Sequence, residues 1–172
     1  MKVIAEAAGV AAPTVYAVFG SKRAVLSALI DEALGGDHSA ADLQDWWVES
    51  IRHPDQAERA RRLVAMASVA FSRVAPFERV VREATGADEE IAGLARDLLA
   101  WRRATTARLV DVLAGEDGLR PGLGREEAAD LLFALAGPEV HYLLVEVRGW
   151  SPEQYGAHLT ALVDSLTAPW PP

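Results

Sequence analysis

Residues 4–34 read IAEAAGVAAPTVYAVFGSKRAVLSALIDEAL, and this stretch decides the fold. Gly9 and Gly20 separate three short segments, because glycine readily takes the positive φ with which many helices end. Pro13 suits the first turn of the second segment, where a backbone N–H has no helical partner. Ser21 is a good N-cap for the third segment. The stretch therefore predicts a helix-turn-helix, a motif whose second helix enters the major groove of DNA.

The same stretch resembles the DNA-binding motif of the TetR (tetracycline-repressor-like) family of bacterial transcription regulators. The residues that carry the resemblance stand at the family's spacing without a gap: Ile4, Ala5, Gly9, Val10, Thr14, Val15, Tyr16, Phe19, Ser21, Lys22, Ala24 and Leu26. The alternative is an ordinary helical hairpin that uses its two glycines only as turns. The resemblance implies a dimeric regulator that binds operator DNA and responds to a small molecule.

In the family, a further helix precedes the motif, packs across it and usually brings basic residues to the DNA backbone. Here Met1 lies directly in what would be the second helix of that three-helix head. A head of residues 1–36 alone is too small to fold by itself. We therefore expect a functional protein with about 15–30 more N-terminal residues. The intact mass of the natively expressed protein tests this expectation.

Charge and composition restrict the class of protein. The chain has 172 residues and a net charge of −8, and the predicted DNA-binding domain, residues 1–36, holds three basic and three acidic side chains. The acidic remainder predicts weak non-specific binding to DNA phosphates. No uninterrupted apolar run of membrane-spanning length and no signal peptide is visible, which favours a soluble protein without a membrane partner. The absence of cysteine excludes disulfides and thiolate metal sites and fits a cytoplasmic protein.

The predicted recognition helix covers about Ala11–Phe19. Thr14 and Tyr16 carry its side-chain hydroxyls, which suit phosphate oxygens or a base edge, and Lys22 suits a phosphate. By resemblance, these three residues fall on positions that contact DNA in relatives. The complete predicted DNA-binding set is Ala11, Ala12, Pro13, Thr14, Tyr16, Ala17 and Lys22. Because alanine can touch a thymine methyl but cannot make a bidentate hydrogen bond, we expect few direct base hydrogen bonds and more dependence on DNA shape.

Residues 37–172 predict a second, all-helical region that binds an effector and forms the dimer. Helical patterns cover about Leu43–Arg52, Pro54–Val74, Pro76–Ala84, Asp88–Leu113, Arg125–Arg148 and Pro152–Leu166. Pro54, Pro76 and Pro152 each stand where the start of a helix tolerates proline. Asp88 and Ser151 are plausible N-caps. The predicted fold class is therefore all-α, with a truncated three-helix head followed by a helical ligand-binding and dimerisation bundle.

Two apolar stripes mark the last two helices. The stripe of residues 125–148 consists of Ala128, Leu131, Leu132, Leu135, Val140, Leu143, Leu144 and Val147, and that of residues 152–166 of Tyr155, Leu159, Leu162, Val163 and Leu166. The resemblance implies a homodimer through these helices, and a two-fold dimer suits a palindromic operator. The alternative is that the stripes face the protein's own core. Each helix can pack against the core and also take part in the dimer, since Gly137-Pro138 predicts a kink in the first helix.

The middle helices are expected to enclose the effector pocket, because helical bundles bind ligands between their helices. The predicted lining is Trp46, Met66, Phe71, Trp101 and His141, with Trp47, Phe77 and Phe133 as further aromatic side chains nearby. His141 is the best polar anchor, although a histidine satisfied within the core is the more common case. Arg102-Arg103 could meet an acidic effector but more often forms a solvated face. The composition favours an apolar effector.

Catalysis has no support in the sequence. The four histidines are scattered, and no zinc-protease, serine-hydrolase or nucleotide-binding motif occurs, so we expect no enzyme activity, no cofactor and no metal. The leading interpretation is a repressor that binds a palindromic operator as a dimer and is released by a small-molecule effector. The alternative is a helical small-molecule-binding protein that has lost DNA binding.

Overall fold

The computed structural model describes residues 1–35, 48–114 and 118–167, and the regular secondary structure in these ranges is helical throughout. The head contains α1 (Lys2–Ala7), α2 (Ala12–Phe19) and α3 (Lys22–Gly35). The body contains α4 (Gln56–Ala84), α5 (Glu89–Ala114), α6 (Arg125–Leu135), α7 (Pro138–His141), a π-helical segment (Tyr142–Val147) and α8 (Pro152–Thr167). The predicted all-α fold, a helix-turn-helix region followed by a helical bundle, is confirmed. The predicted domain boundary at residues 36 and 37 lies outside the described residues.

The three helices of the head begin and end where the sequence predicts. Gly9 follows α1 with a φ of 67°, and Gly20 follows α2 with a φ of 76°. Pro13 lies in the first turn of α2. Ser21 caps α3, since its Oγ accepts a hydrogen bond of 3.1 Å from the backbone N–H of Ala24. Local signals therefore determine the helix boundaries in the head.

The head has a very small core of its own. Its buried side chains are Ala5, Val15 and Val25, against which Met1 and Ala12 pack. A second cluster joins the head to the body, because Ile30 of α3 packs there with Val74 and Val81 of α4 and with Ile91 and Leu94 of α5. The position of the head therefore depends on the two long helices of the body.

Helix α4 is continuous across Pro76, so the prediction of two helices that meet at this proline is wrong. A proline inside a helix removes one backbone hydrogen bond and crowds the preceding turn. Both halves of α4 are nevertheless held by burial. Leu63 and Val64 lie in the main core of the body, and Val74 and Val81 lie in the cluster beneath the head. Tertiary packing on both sides outweighs the local preference for a break.

The main core of the body joins α4, α5, α6 and α8. Its buried residues are Leu63, Val64, Val110, Leu113, Ala128, Leu132, Ala136, Tyr155, Leu159, Leu162, Val163 and Leu166. The whole predicted stripe of residues 152–166 therefore faces the protein's own core. The start of α8 is capped in both directions: the N–H of Gln154 donates to Ser151 Oγ at 3.3 Å, and the N–H of Ser151 donates to Gln154 Oε1 at 2.8 Å.

The predicted helix of residues 125–148 is interrupted at Gly137-Pro138, which confirms the predicted kink. Helix α6 ends at Leu135, and α7 begins at Pro138 with Gly137 as its N-cap. The stretch Arg125–Val147 is long and apolar enough to cross a membrane, but core helices of soluble proteins have the same composition. Ala128 and Leu132 lie in the main core, so this stretch does not indicate a membrane protein.

Candidate functional site

Helix α2 presents most of the predicted DNA-binding residues on the surface. Val15 is buried in the core of the head, and Ala12 is half-buried against it. The remaining members of the predicted set are exposed, namely Ala11, Pro13, Thr14, Tyr16, Ala17 and Lys22. The hydroxyls of Thr14 and Tyr16 are therefore available to a partner outside the protein. This arrangement is compatible with a helix that lies in a DNA groove.

Lys22 is held at the junction between the head and the body. Its Nζ lies 2.7 Å from Oδ2 of Asp88, which also caps α5 by accepting a hydrogen bond of 3.1 Å from the N–H of Glu90. The hydrogen bond from Lys22 lowers the pKa of Asp88, and the same bond raises the pKa of Lys22. The predicted phosphate ligand is thus shared with a carboxylate of the body.

A second ion pair lies beside the first. Arg23 Nη2 approaches Asp97 Oδ2 of α5 to 2.5 Å. The Arg23 side chain crosses α5 at Gly93, where a Cβ atom would lie 3.1 Å from Arg23 Nη1. The start of α3 is therefore attached to the first turns of α5 by two ion pairs. Sequence reasoning missed both, because the partners are 66 and 74 residues apart.

A cavity of about 180 Å³ lies between α4, α5 and α7, and we name it the charged cavity. Its apolar walls come from Val81 of α4 and from Ala95, Leu98 and Leu99 of α5. Its polar lining consists of Glu78, Arg82, Thr85, Arg102 and Glu139.

Arg102 organises the polar end of this cavity. Only 13% of its side chain is exposed. Its Nη1 lies 2.7 Å from Glu139 Oε2, and its Nη2 lies 3.3 Å from Glu139 Oε1. The guanidinium also stacks over Phe133, 4.4 Å from the ring centroid. The expectation of a solvated Arg102 is therefore wrong, because two carboxylates and an aromatic ring from other helices surround it.

The two carboxylates beside Arg102 differ in their environment. Burial alone would raise the pKa of Glu139, but the hydrogen bonds from Arg102, a backbone hydrogen bond and the charges of Arg102 and Arg82 together lower it. Glu78 is only 3.8 Å from Arg102 Nη1, without a hydrogen bond, and burial raises its pKa to about 7. Gly137 leaves room for the tighter pair, since a Cβ there would lie 2.7 Å from Glu139 Oε2.

A smaller apolar cavity of about 60 Å³ lies on the other side of Arg102. It is lined mainly by apolar side chains of α4, α5, α6 and α8, among them Phe71 and Phe133. Thr106 and Arg102 supply its polar lining. Arg102 thus separates an apolar space from a charged one.

The predicted effector-pocket residues are not brought together in one site. Phe71 lines the apolar cavity, and Met66 packs against the main core. Trp101 is 55% exposed and lines neither cavity. His141 is buried and meets the ring of Tyr155 edge to face at 4.8 Å, and it also lines neither cavity. Trp46 lies outside the described residues.

Sequence reasoning missed Glu78 and Glu139, and it assigned Arg102 to the wrong environment. The Arg102-Arg103 pair was a signal for a charged site, but its carboxylate partners stand 24 and 37 residues away in the sequence. Within the described ranges, no three histidine or carboxylate side chains are placed to hold a metal ion.

The comparison with protein families adds one finding. Residues 1–29 match the family model described as bacterial regulatory proteins, tetR family. No curated protein and no solved structure matches the chain. The matched residues contain α1, α2 and most of α3, with the exposed hydroxyls of α2 and the basic partners, Lys22 and Arg23, of the two ion pairs. This match supports membership of the TetR family and suggests a DNA-binding transcription regulator.

Proposed function

We propose that the protein is a ligand-responsive repressor that binds a palindromic operator as a homodimer. A small molecule in the charged cavity releases it from DNA. One observation is the main support for the proposal. The start of α5 contacts the head, and a later part of the same helix lines the charged cavity. This function needs no catalysis and no cofactor, and it places the protein in the cytoplasm with the DNA.

Helix α2 is the proposed reading element. Its exposed hydroxyls, on Thr14 and Tyr16, suit phosphates or base edges, and its exposed alanines suit thymine methyl groups. Lys22 adds a phosphate contact when it leaves Asp88. The family match over residues 1–29 supports the same assignment.

Helix α5 is the proposed connection between the effector and DNA. Asp88 and Asp97 bind the start of α3, and Leu98, Leu99 and Arg102 line the charged cavity. Asp88 and Arg102 are 14 positions apart, which is about 20 Å along a helix. A ligand that shifts α5 therefore also shifts Ile91 and Leu94, on which Ile30 of α3 packs, and with them the head. An effector that prefers the shifted arrangement by a few kcal/mol is enough to release the operator.

The proposed dimer uses the outer surfaces of the C-terminal helices. Leu143 and Val147 of the π-helical segment are 54% and 58% exposed, and they stand four residues apart. The outer face of α8 is not the predicted apolar stripe, which is buried, but carries the exposed Ala157 and Ala161. Small side chains allow helices to approach closely. A two-fold axis here would hold two copies of α2 at the roughly 34–36 Å separation of successive major grooves.

The test is binding of the purified protein to its own promoter region, followed by footprinting at two salt concentrations. We expect a two-fold symmetric footprint with an affinity that falls as salt rises. Thr14→Ala and Tyr16→Phe should each weaken binding several-fold, by about 1 kcal/mol for one lost hydrogen bond. Ser72→Ala is the control, because this exposed serine lies on α4, outside the head.

A stably folded protein without specific DNA binding would contradict the repressor function. That result would favour the alternative, a helical small-molecule-binding protein that has lost DNA binding. The alanine-rich surface of α2 and the net charge of −8 are the features that favour this alternative. Both functions include a ligand in the charged cavity, but only the repressor function predicts a footprint on DNA.

A further inference from the structure

In the charged cavity, the buried negative charge exceeds the buried positive charge. Among its lining residues, the one well-buried cation is Arg102, and Glu139 occupies it with two hydrogen bonds. Glu78 receives none from it and lies 3.8 Å away. Arg82 extends from the same helix as Glu78 but is solvent-exposed, so water screens its charge. The cavity therefore contains one carboxylate, 21% exposed, whose charge is incompletely balanced and which receives no hydrogen bond from Arg102.

An anionic ligand fits this environment poorly. Arg102 cannot give up Glu139 without leaving that carboxylate buried and unpaired, which is strongly unfavourable. An added anion would also face the carboxylates of both Glu78 and Glu139. A cation, in contrast, supplies the donors that Glu78 lacks. It would make the charge-assisted hydrogen bonds that are the strong ones in proteins.

The size and walls of the cavity restrict the cation further. A cavity of roughly 150 Å³ can bind benzene, so 180 Å³ admits a body of about one ring with a short substituent. Val81, Leu98 and Leu99 provide apolar contacts for that ring. We propose that the charged cavity is the binding site of a small organic amine, with its ammonium group on Glu78 and its apolar ring against α5.

That this amine is the effector rests on the proposed function, whereas its binding to the cavity does not. The sequence alone favours an apolar effector, whereas the proposed ligand is apolar and also has one positive charge. Binding is also linked to protons, because Glu78 must be ionised to hold an ammonium group. The groups that face it are Arg82 on its own helix, Arg102 from α5 and Glu139 from α7. Affinity should therefore increase between pH 6 and pH 8.

The experiment uses three probes of nearly the same shape: benzylamine, benzyl alcohol and benzoate. Calorimetric titration of the full chain measures each affinity at pH 6 and pH 8. At pH 8, benzylamine should bind at least tenfold more tightly than benzyl alcohol, and benzoate should bind more weakly than both. Glu78→Gln should reduce benzylamine affinity at least tenfold and leave benzyl alcohol unchanged. Glu83→Gln is the matched control, since this exposed glutamate of α4 pairs with Arg79 and lies outside the cavity.

Benzoate binding more tightly than benzylamine would overturn the proposal, as would undetectable benzylamine binding or benzylamine affinity that Glu78→Gln leaves unchanged. Circular dichroism of the variant verifies its fold, and removal of a buried charge should not destabilise it. DNA binding is measured separately. If benzylamine binds through Glu78 but does not release DNA, the amine site stands and the effector function fails. If DNA binds and benzylamine does not, the amine site fails and the DNA-binding function stands.

Discussion

Lys22 and Asp88 form an ion pair of 2.7 Å across the junction of head and body, although 66 residues separate them in the sequence. Lys22 is the predicted phosphate ligand of the head, and Asp88 is the N-cap of α5. In the proposed DNA complex, a phosphate and Asp88 would compete for the same ammonium group. The strength of DNA binding would then depend on how firmly the head is attached to α5.

Asp88→Asn tests this competition. Asparagine keeps the N-cap of α5 but carries no charge, so it no longer holds Lys22. We expect operator affinity at low salt to increase by up to about fivefold, the range of exposed ion pairs. Lys22→Ala should instead lower the slope of log affinity against log salt by about one. Both values come from fluorescence anisotropy titrations with labelled operator.

The control for this pair of variants is Asp111→Asn. Asp111 pairs with Arg125 at 2.6 Å on the body, far from the helices of the head in sequence, and is more exposed than Asp88. Its substitution should leave operator affinity unchanged. A weaker operator complex in Asp88→Asn would show that the ion pair supports DNA binding and does not compete with it.

Leu143→Glu tests the proposed dimer surface. Leu143 is more than half exposed in the protomer, so a charge there should leave the fold intact. In a two-fold interface, the same glutamate would be desolvated and would lie near its own copy. We expect dimer dissociation at micromolar protein, measured by sedimentation velocity. Val69→Glu is the control, because this equally exposed residue lies on α4, and an identical effect of both variants would refute the assignment.

Glu78 gives the protein a defined pH dependence of stability. Its pKa is about 7 in the folded protein, above the ordinary value of 4.5, so the native state holds the proton more tightly than the unfolded chain does. The free energy of unfolding contributed by this group is therefore greatest at low pH and decreases as pH rises from about 4.5 to about 7. At pH 8, Glu78→Gln should be more stable than the unsubstituted protein by on the order of 1–3 kcal/mol. Urea unfolding at pH 5 and pH 8 measures this, and an equal effect at both values would contradict it.

The titration of His141 changes the stability of the protein with pH in the opposite direction to that of Glu78. It is buried, its Nδ1 has no partner among the described residues, and burial lowers its pKa below the ordinary 6.5. The stability that its neutral form supports is complete above that ordinary value and is lost as pH falls through the lowered pKa. His141→Phe keeps a ring beside Tyr155 and removes the titration. The variant should lose less stability than the unsubstituted protein between pH 7 and pH 5 in thermal unfolding. Parallel losses in both proteins would show that His141 does not titrate in this range.

Local signals explain which features the sequence predicts well. Gly9, Gly20 and Ser21 act on neighbouring backbone groups, so the head helices follow from the sequence alone. The same holds for Ser151 and Gln154 at the start of α8 and for the break at Gly137-Pro138. Pro76 is the exception, because the burial that keeps α4 continuous comes from helices far away in the sequence. Whether the natural protein has further N-terminal residues stays a prediction.

The candidate cavity could not be predicted in the same way. Trp101 and Arg102 are neighbours on α5, about 100° apart around the helix, and hydrophobicity suggests that the tryptophan faces inward. The structure places Trp101 on the surface and Arg102 inside. Arg102 can lie inside because Glu78 and Glu139 provide carboxylate partners for its buried guanidinium. A pattern within one helix contains no information on carboxylates from two others.

Helix α3 packs on two separate cores, and this affects the order in which parts of the chain can fold during synthesis. Val25 belongs to the core of the head, whereas Ile30 belongs to the cluster that α4 and α5 complete. Residues 1–35 leave the ribosome before those helices have been synthesised. Their own core of three small side chains is too small to hold them in the meantime. The proposed DNA-binding surface is therefore translated before the helices that support it, and it acquires its final structure after them.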